Sequence, residues 1–187
     1  ISDYKVFFSK KFKSKPISFK DSEINFFDAT NHIASIKNAF LEYKFKKKTD
    51  QITLKGRFLG DNIFISLKNN KSEENQSLIY VLKFLNSKIN TKGKIVYSEK
   101  KNDPINGNIV IKKNKNMVTA IFDIKDGKII IKNSNFKNIF LDGKFDGEIN
   151  FLPYFDFNLN VDINGVNFNK FYTFLINLDE KDRLNLF

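Results

Sequence analysis

The chain has 187 residues, 41% of them hydrophobic, enough for one core or one segment of a larger sheet, and too apolar to be disordered in bulk. No stretch approaches the roughly 20 apolar residues of a membrane-spanning helix, and the absence of Cys excludes disulfides, thiolate chemistry and Cys-bearing metal sites. The formal charge of +11 points toward nucleic acid, yet of 32 basic residues only Arg57 and Arg183 carry the guanidinium fork that phosphate and base readers favour. Lys residues spread over every polar face read as solvated strand surfaces and turns.

Taken in chain order, residues 1–15 mix Phe7, Phe8 and Phe12 with Lys and give an uncertain first strand or linker. Ile17 and Phe19, then Asp21-Ser22, then Ile24 and Phe26 form two alternating runs that predict a turn at Asp21-Ser22. The figure returns as Phe122 and Ile124, Asp126-Gly127, Ile129 and Ile131, where Asp-Gly is a strong hairpin signal. Two such copies suggest two imperfect β repeats, about residues 17–120 and 121–187.

Between them the two-residue period persists. Leu41, Tyr43 and Phe45 alternate, and Ile52 and Leu54 lead through Gly56 to Phe58. Gly60-Asp61-Asn62 turns the chain into Ile63, Ile65 and Leu67, and Asn69 to Ser77 reads as a loop. Leu78 to Leu85 is a continuous apolar run whose β-branched and aromatic content favours strand over helix. Alternating runs follow at Ile89 to Tyr97, Ile105 to Ile111 and Val118 to Ile124.

The longest pattern occupies Ile139 to Phe174. Leu141, Phe145, Ile149 and Phe151 alternate with polar residues, and after Pro153 the beat resumes as Phe155, Phe157, Leu159, Val161 and Ile163. These are two long strands of one hairpin. Val166, Phe171, Phe174, Leu175 and Leu178 then suit one face of a short helix, capped by Asn167 or Asn169. Gly56, Gly93, Gly107, Gly143 and Gly147 fall on the apolar side, which predicts bends, bulges or close approach to the backbone. The expected fold is all-β: a long, curved antiparallel sheet, folded over as a groove or open as a sandwich, with one short C-terminal helix.

Catalytic chemistry has little to draw on. His32 is the sole His and reads as a loop residue, no Ser occupies a nucleophile elbow, and no glycine loop precedes a Lys-Ser/Thr pair. Asp142, Asp146 and Glu148, with Lys144 among them, read as a solvated mixed-charge face. The expectation is a chain that is not an enzyme, with no cofactor and no metal.

The series LDGKFDGEINFLPYFDFNLNVDINGVNFNKFYTFL, with Leu54-Lys55-Gly56-Arg57-Phe58-Leu59-Gly60, resembles the repeating unit of AsmA-like and TamB-type bacterial envelope proteins. The likeness extends over about residues 17–178 and rests on degenerate β patterns. It implies a single β-rich segment, residues 1–187, of a longer periplasmic protein anchored in the inner membrane by a segment not present here. It further implies an apolar groove that conducts phospholipids toward the outer membrane, with acyl chains and other envelope proteins as partners and no specific nucleic acid. Phe145, Ile149, Phe151, Phe155, Phe157, Leu159 and Val161 are the expected lipid-contact residues. Two other classes stay in view: a structural or adhesive β-repeat domain with a closed core, and a binder of single-stranded nucleic acid.

Overall fold

The computed structural model describes residues 16–28, 30–45, 49–71, 76–98, 103–150 and 155–176. Its strands are β1 (Ile17–Asp28), β2 (Asn31–Phe45), β3 (Thr49–Phe58), β4 (Asp61–Lys71), β5 (Gln76–Phe84) and β6 (Ile89–Tyr97). They continue as β7 (Ile105–Lys113), β8 (Asn116–Lys125), β9 (Lys128–Lys137), β10 (Leu141–Asn150) and β11 (Asp156–Val166), and a helix follows, α1 (Phe168–Ile176). All strands join one antiparallel sheet in sequence order, so each pairs with its chain neighbours, and β1 and β11 form the two edges of an open sheet.

Alternation and register together decide the faces. Side chains on paired residues point the same way, and each successive residue points to the opposite side. Leu54 pairs with Ile65, Ile65 with Leu82, Leu82 with Thr91, Thr91 with Ile111, and Ile111 with Val118. Val118 continues to Phe136, Phe136 to Gly143, and Gly143 to Ile163. One face is therefore a mainly apolar lane, while the other carries Lys55, Phe64, Lys83 and Asn90 in one cross-strand row. Where two apolar residues are adjacent, as at Phe26-Phe27 and Phe58-Leu59, register decides which faces the lane: Phe26 lies opposite Ala34 and Phe58 opposite Ile36 on the apolar side, and Leu59 leaves the sheet in a turn.

Hairpin chemistry is local. Leu59-Gly60 and Asp126-Gly127 have positive φ at both central residues (48° and 81°, 52° and 77°), the geometry that matches strand twist in two-residue turns. Asn138 closes the β9–β10 turn by accepting the N–H groups of Phe140 and Leu141 on its side-chain oxygen, at 2.9 and 2.7 Å.

Several sequence expectations change. Asp21-Ser22 is no turn: β1 runs through it as a bulge, with Asp21 at φ 48° and Ser22 opposite Ala39. Asp21 alone takes a positive φ, whereas the Leu59-Gly60 and Asp126-Gly127 hairpin turns have it at both central residues. The true counterpart of Lys20-Asp21-Ser22 is Lys132-Asn133-Ser134, where Asn133 has φ 43° and the β8–β9 register shifts beside Ala120. In both bulges the Ser hydroxyl donates to the carbonyl two residues back, at 3.1 Å to Lys20 and 3.0 Å to Lys132. Buried Ser134 also accepts the N–H of Ile121, so the bulge leaves that donor satisfied.

The loop expected from Asn69 to Ser77 narrows, because the backbone ladder continues through Asn69 opposite Leu78 and Asn70 opposite Ser77 whatever their side chains. His32 stands in β2, not in a loop. Ile139 precedes β10, and Val166 ends β11 opposite Leu141 instead of opening the helix. Phe151, Pro153 and Leu178 lie outside the described residues.

The glycines act mainly as seats for aromatic rings. Tyr80 lies opposite Gly93, Phe122 opposite Gly107 and Phe136 opposite Gly143. A Cβ at those glycines would stand 2.5 Å from Tyr80 Cζ, 2.5 Å from Phe122 Cε2 and 2.6 Å from Phe136 Cζ. Each ring thus lies flat across its neighbouring strand, and Tyr80 reaches one strand further, its hydroxyl donating to the Asn108 carbonyl at 3.0 Å. Register is unbroken at Gly93 and Gly107; the expected irregularities occur opposite Gly56, where β2 bulges between Lys37 and Phe40, and around Gly143 and Gly147.

Candidate functional site

The apolar lane is the dominant feature. At about 4.8 Å per strand, its ten spacings make it roughly 48 Å long. Burial along it is partial: among the described residues the buried apolar side chains are Ile36, Ala39, Leu54, Ile63, Ala120 and Ile131. The first four form a small cluster, packed by Ile24, Leu41, Phe58, Ile65 and Phe84, beneath the β1 and β2 bulges. A sheet whose apolar face met a second layer would bury most of that face. Here the substantial contacts among strands run between sequence neighbours, and the lane carries no covering strand among the described residues.

The expected lipid-contact residues fall together. Phe145 pairs with Val161, Ile149 with Phe157, and Leu159 with Gly147, all on the lane. Phe157 is 59% exposed and Val161 55%, and Leu159 is also exposed, because β11 is an edge with no strand beyond it. Phe155, just before β11, is exposed and its ring centroid lies 6.0 Å from that of Phe157. Phe151 is outside the described residues. Sequence reasoning missed the larger part of the lane, β1 to β9, although the same alternation signalled it there.

One end of the lane's β2–β6 section is rimmed by polar groups. The Tyr97 hydroxyl donates to Gln76 at 3.0 Å and lies 3.3 Å from the Asn69 side-chain oxygen, and Asp50 is buried beside Tyr43. Burial raises the Tyr43 pKa above its ordinary value, and the Asp50 charge and hydrogen bond push it the same way. Burial alone raises that of Tyr80.

The polar face divides by charge. Lys37, Lys55, Arg57, Lys83, Lys92 and Lys94 dominate it over β2 to β6, whereas Asp142, Asp146, Glu148, Asp156 and Asp162 gather on β10 and β11. The latter group behaves as expected of a mixed face, with Glu148 paired to Lys128 at 3.6 Å and Asp146 accepting from Asn160 at 3.3 Å. Over β3 to β5 the basic half is dished into a cavity of about 770 Å³, lined by Lys55, Arg57, Phe64, Lys83, Asn62 and Asn86 among others. Lys83 sits over the Phe64 ring at 5.8 Å, a cation–π contact. Asp61 is turned into the β5–β6 turn, where its carboxylate accepts the N–H groups of Asn86 and Ser87 at 2.8 and 3.0 Å. A side-chain hydrogen bond from Ser87, with these backbone bonds, holds its pKa below the usual carboxylate value.

His32 Nε2 lies 2.7 Å from the Ser35 hydroxyl, which itself donates to Asn25. Among the described residues, no group of His, Asp and Glu is placed to hold a metal ion.

The C-terminal helix begins as expected, Asn167 Oδ1 accepting the Lys170 N–H at 3.0 Å, and this selects Asn167 over Asn169 as its cap. Phe171 and Phe174 pack on Phe140, centroids 5.2 and 5.3 Å away, while Phe168, Tyr172 and Ile176 face outward. No family model, curated protein or solved structure matches the chain.

Proposed function

We propose that this chain is a stretch of non-catalytic lipid-handling β-groove, in which the apolar lane shelters phospholipid acyl chains in passage between membranes. The observation that carries this is the lane itself: continuous across eleven neighbouring strands, half-buried, and uncovered among the described residues. Each methylene sheltered from water contributes about 0.8 kcal/mol, so contact along a few strands offsets several kcal/mol without a shaped pocket. The polar opposite face keeps such a sheet wetted on its other side. The bacterial envelope, the periplasm and the inner-membrane anchor come from the resemblance to AsmA-like proteins.

Native mass spectrometry with lipid extraction of the protein purified from a bacterial envelope tests the proposal. Co-purifying phospholipid is expected, and Phe157→Glu with Val161→Lys should abolish it while leaving the fold intact, since both side chains are more than half exposed. A lipid-free mass, or loading indifferent to both substitutions, would refute it in favour of a structural β domain.

A further inference from the structure

The turns of the sheet alternate between its two ends. Because the strands form a simple meander, the turns β1–β2, β3–β4, β5–β6, β7–β8 and β9–β10 all lie at one end, and α1 leaves β11 at that end too. Exposed apolar side chains gather there: Phe27, Leu59, Leu85, Ile139 and Phe168, of which Leu59 is 82% exposed. At the other end the connections Lys46-Lys47-Lys48, Lys71-Ser72-Glu73-Glu74-Asn75, Ser98-Glu99-Lys100-Lys101-Asn102-Asp103 and Asp126-Gly127 are polar by sequence, and the β10–β11 connection, Phe151-Leu152-Pro153-Tyr154-Phe155, is apolar.

Leu59 is the sharpest signal. It is a bulky residue held at φ 48° in a turn position that Asn or Asp would occupy without strain, and its side chain covers no core. Leu85 projects from the adjacent β5–β6 turn, its N–H donating to the Asn62 carbonyl at 2.8 Å. Directly behind these two tips opens the basic dish with Lys55, Arg57 and Lys83, and the carboxylate of Asp61 in the adjoining turn is engaged by backbone N–H groups. Apolar tips in front of a cationic surface match the two layers of an anionic bilayer, acyl region and then phosphate.

We infer that this end of the sheet docks on a bilayer carrying anionic phospholipid, Leu59 and Leu85 entering the acyl boundary while the dish takes headgroup phosphates. The inference uses none of the lane residues, so it stands or falls separately from the groove.

Flotation with vesicles of phosphatidylcholine alone, or with about a third phosphatidylglycerol, tests it. Binding to the anionic vesicles is expected, with little to the neutral ones. Leu59→Asn with Leu85→Ser should weaken it at least about tenfold per side chain. Lys55→Gln, Arg57→Gln and Lys83→Gln together should weaken it about a hundredfold, while the charge-matched set Lys68→Gln, Lys92→Gln and Lys94→Gln leaves most of it. Leu59→Asn relieves the turn, so its loss of binding cannot be ascribed to unfolding. No binding to anionic vesicles, equal loss in both triple variants, or binding unaffected at Leu59 and Leu85 would each overturn the inference.

Discussion

Seating an aromatic ring on a facing glycine makes a quantitative demand at Gly107. A Cβ there would stand 2.5 Å from Phe122 Cε2, more than 1 Å inside the usual carbon–carbon contact of roughly 3.5–4.0 Å, so the ring must lift from the sheet. Overpacking of this kind costs about 1–3 kcal/mol, and Gly107→Ala should destabilise by about 2 kcal/mol. Phe122→Ala removes a half-buried ring and should cost roughly half of the 3–5 kcal/mol of a fully buried one. In the Phe122→Ala background the obstacle is gone, and Gly107→Ala should turn neutral or stabilise by about 0.5 kcal/mol, since Ala loses less backbone entropy on folding than Gly. Urea titrations of the four proteins give the coupling, expected at about 2 kcal/mol with the double variant less damaged than the sum of the singles. A Gly107→Ala cost that is the same with and without the ring would refute the seat.

Three further outcomes follow from the turns and caps. Asp61 has a folded pKa below its unfolded value of about 3.9, so its stabilisation is fully present above about pH 4 and disappears as pH falls through the lowered value. Asp61→Asn should therefore lower the urea midpoint at pH 7 and flatten its pH dependence below pH 4; an unchanged acid limb would contradict that role. Leu59→Asn should stabilise by about 0.5–1 kcal/mol and raise the melting temperature by a few degrees, because Asn tolerates the left-handed conformation; a fall would show that the side chain has a folded-state contact. Asn167→Ala removes the cap of α1 and should cost about 1 kcal/mol, read as roughly fivefold lower hydrogen-exchange protection of the helix amides, with β1 to β10 unaffected.

Alternation by itself determined much of this protein: the all-β class, nearly every strand, the Asp126-Gly127 turn, the long C-terminal hairpin and the helix beyond it, because a period of two is a property of neighbouring residues in the chain. What it could not specify were relations between strands. Lys20-Asp21-Ser22 reads as a turn in one dimension and becomes a bulge only when Ala39 across the ladder takes Ser22 as its partner. Gly93 and Gly107 read as bends, yet their meaning lies in Tyr80 and Phe122 on adjacent strands. Of the lipid-contact set, the pairings of Phe145 with Val161 and Ile149 with Phe157 were legible, since a hairpin's register follows from its turn. The extension of that surface through nine more strands, the basic dish on the opposite face and the placing of Leu59 and Leu85 in front of it were not. Each depends on which residues stand side by side after folding, and register is decided by hydrogen-bond pairing and packing between segments far apart in the chain.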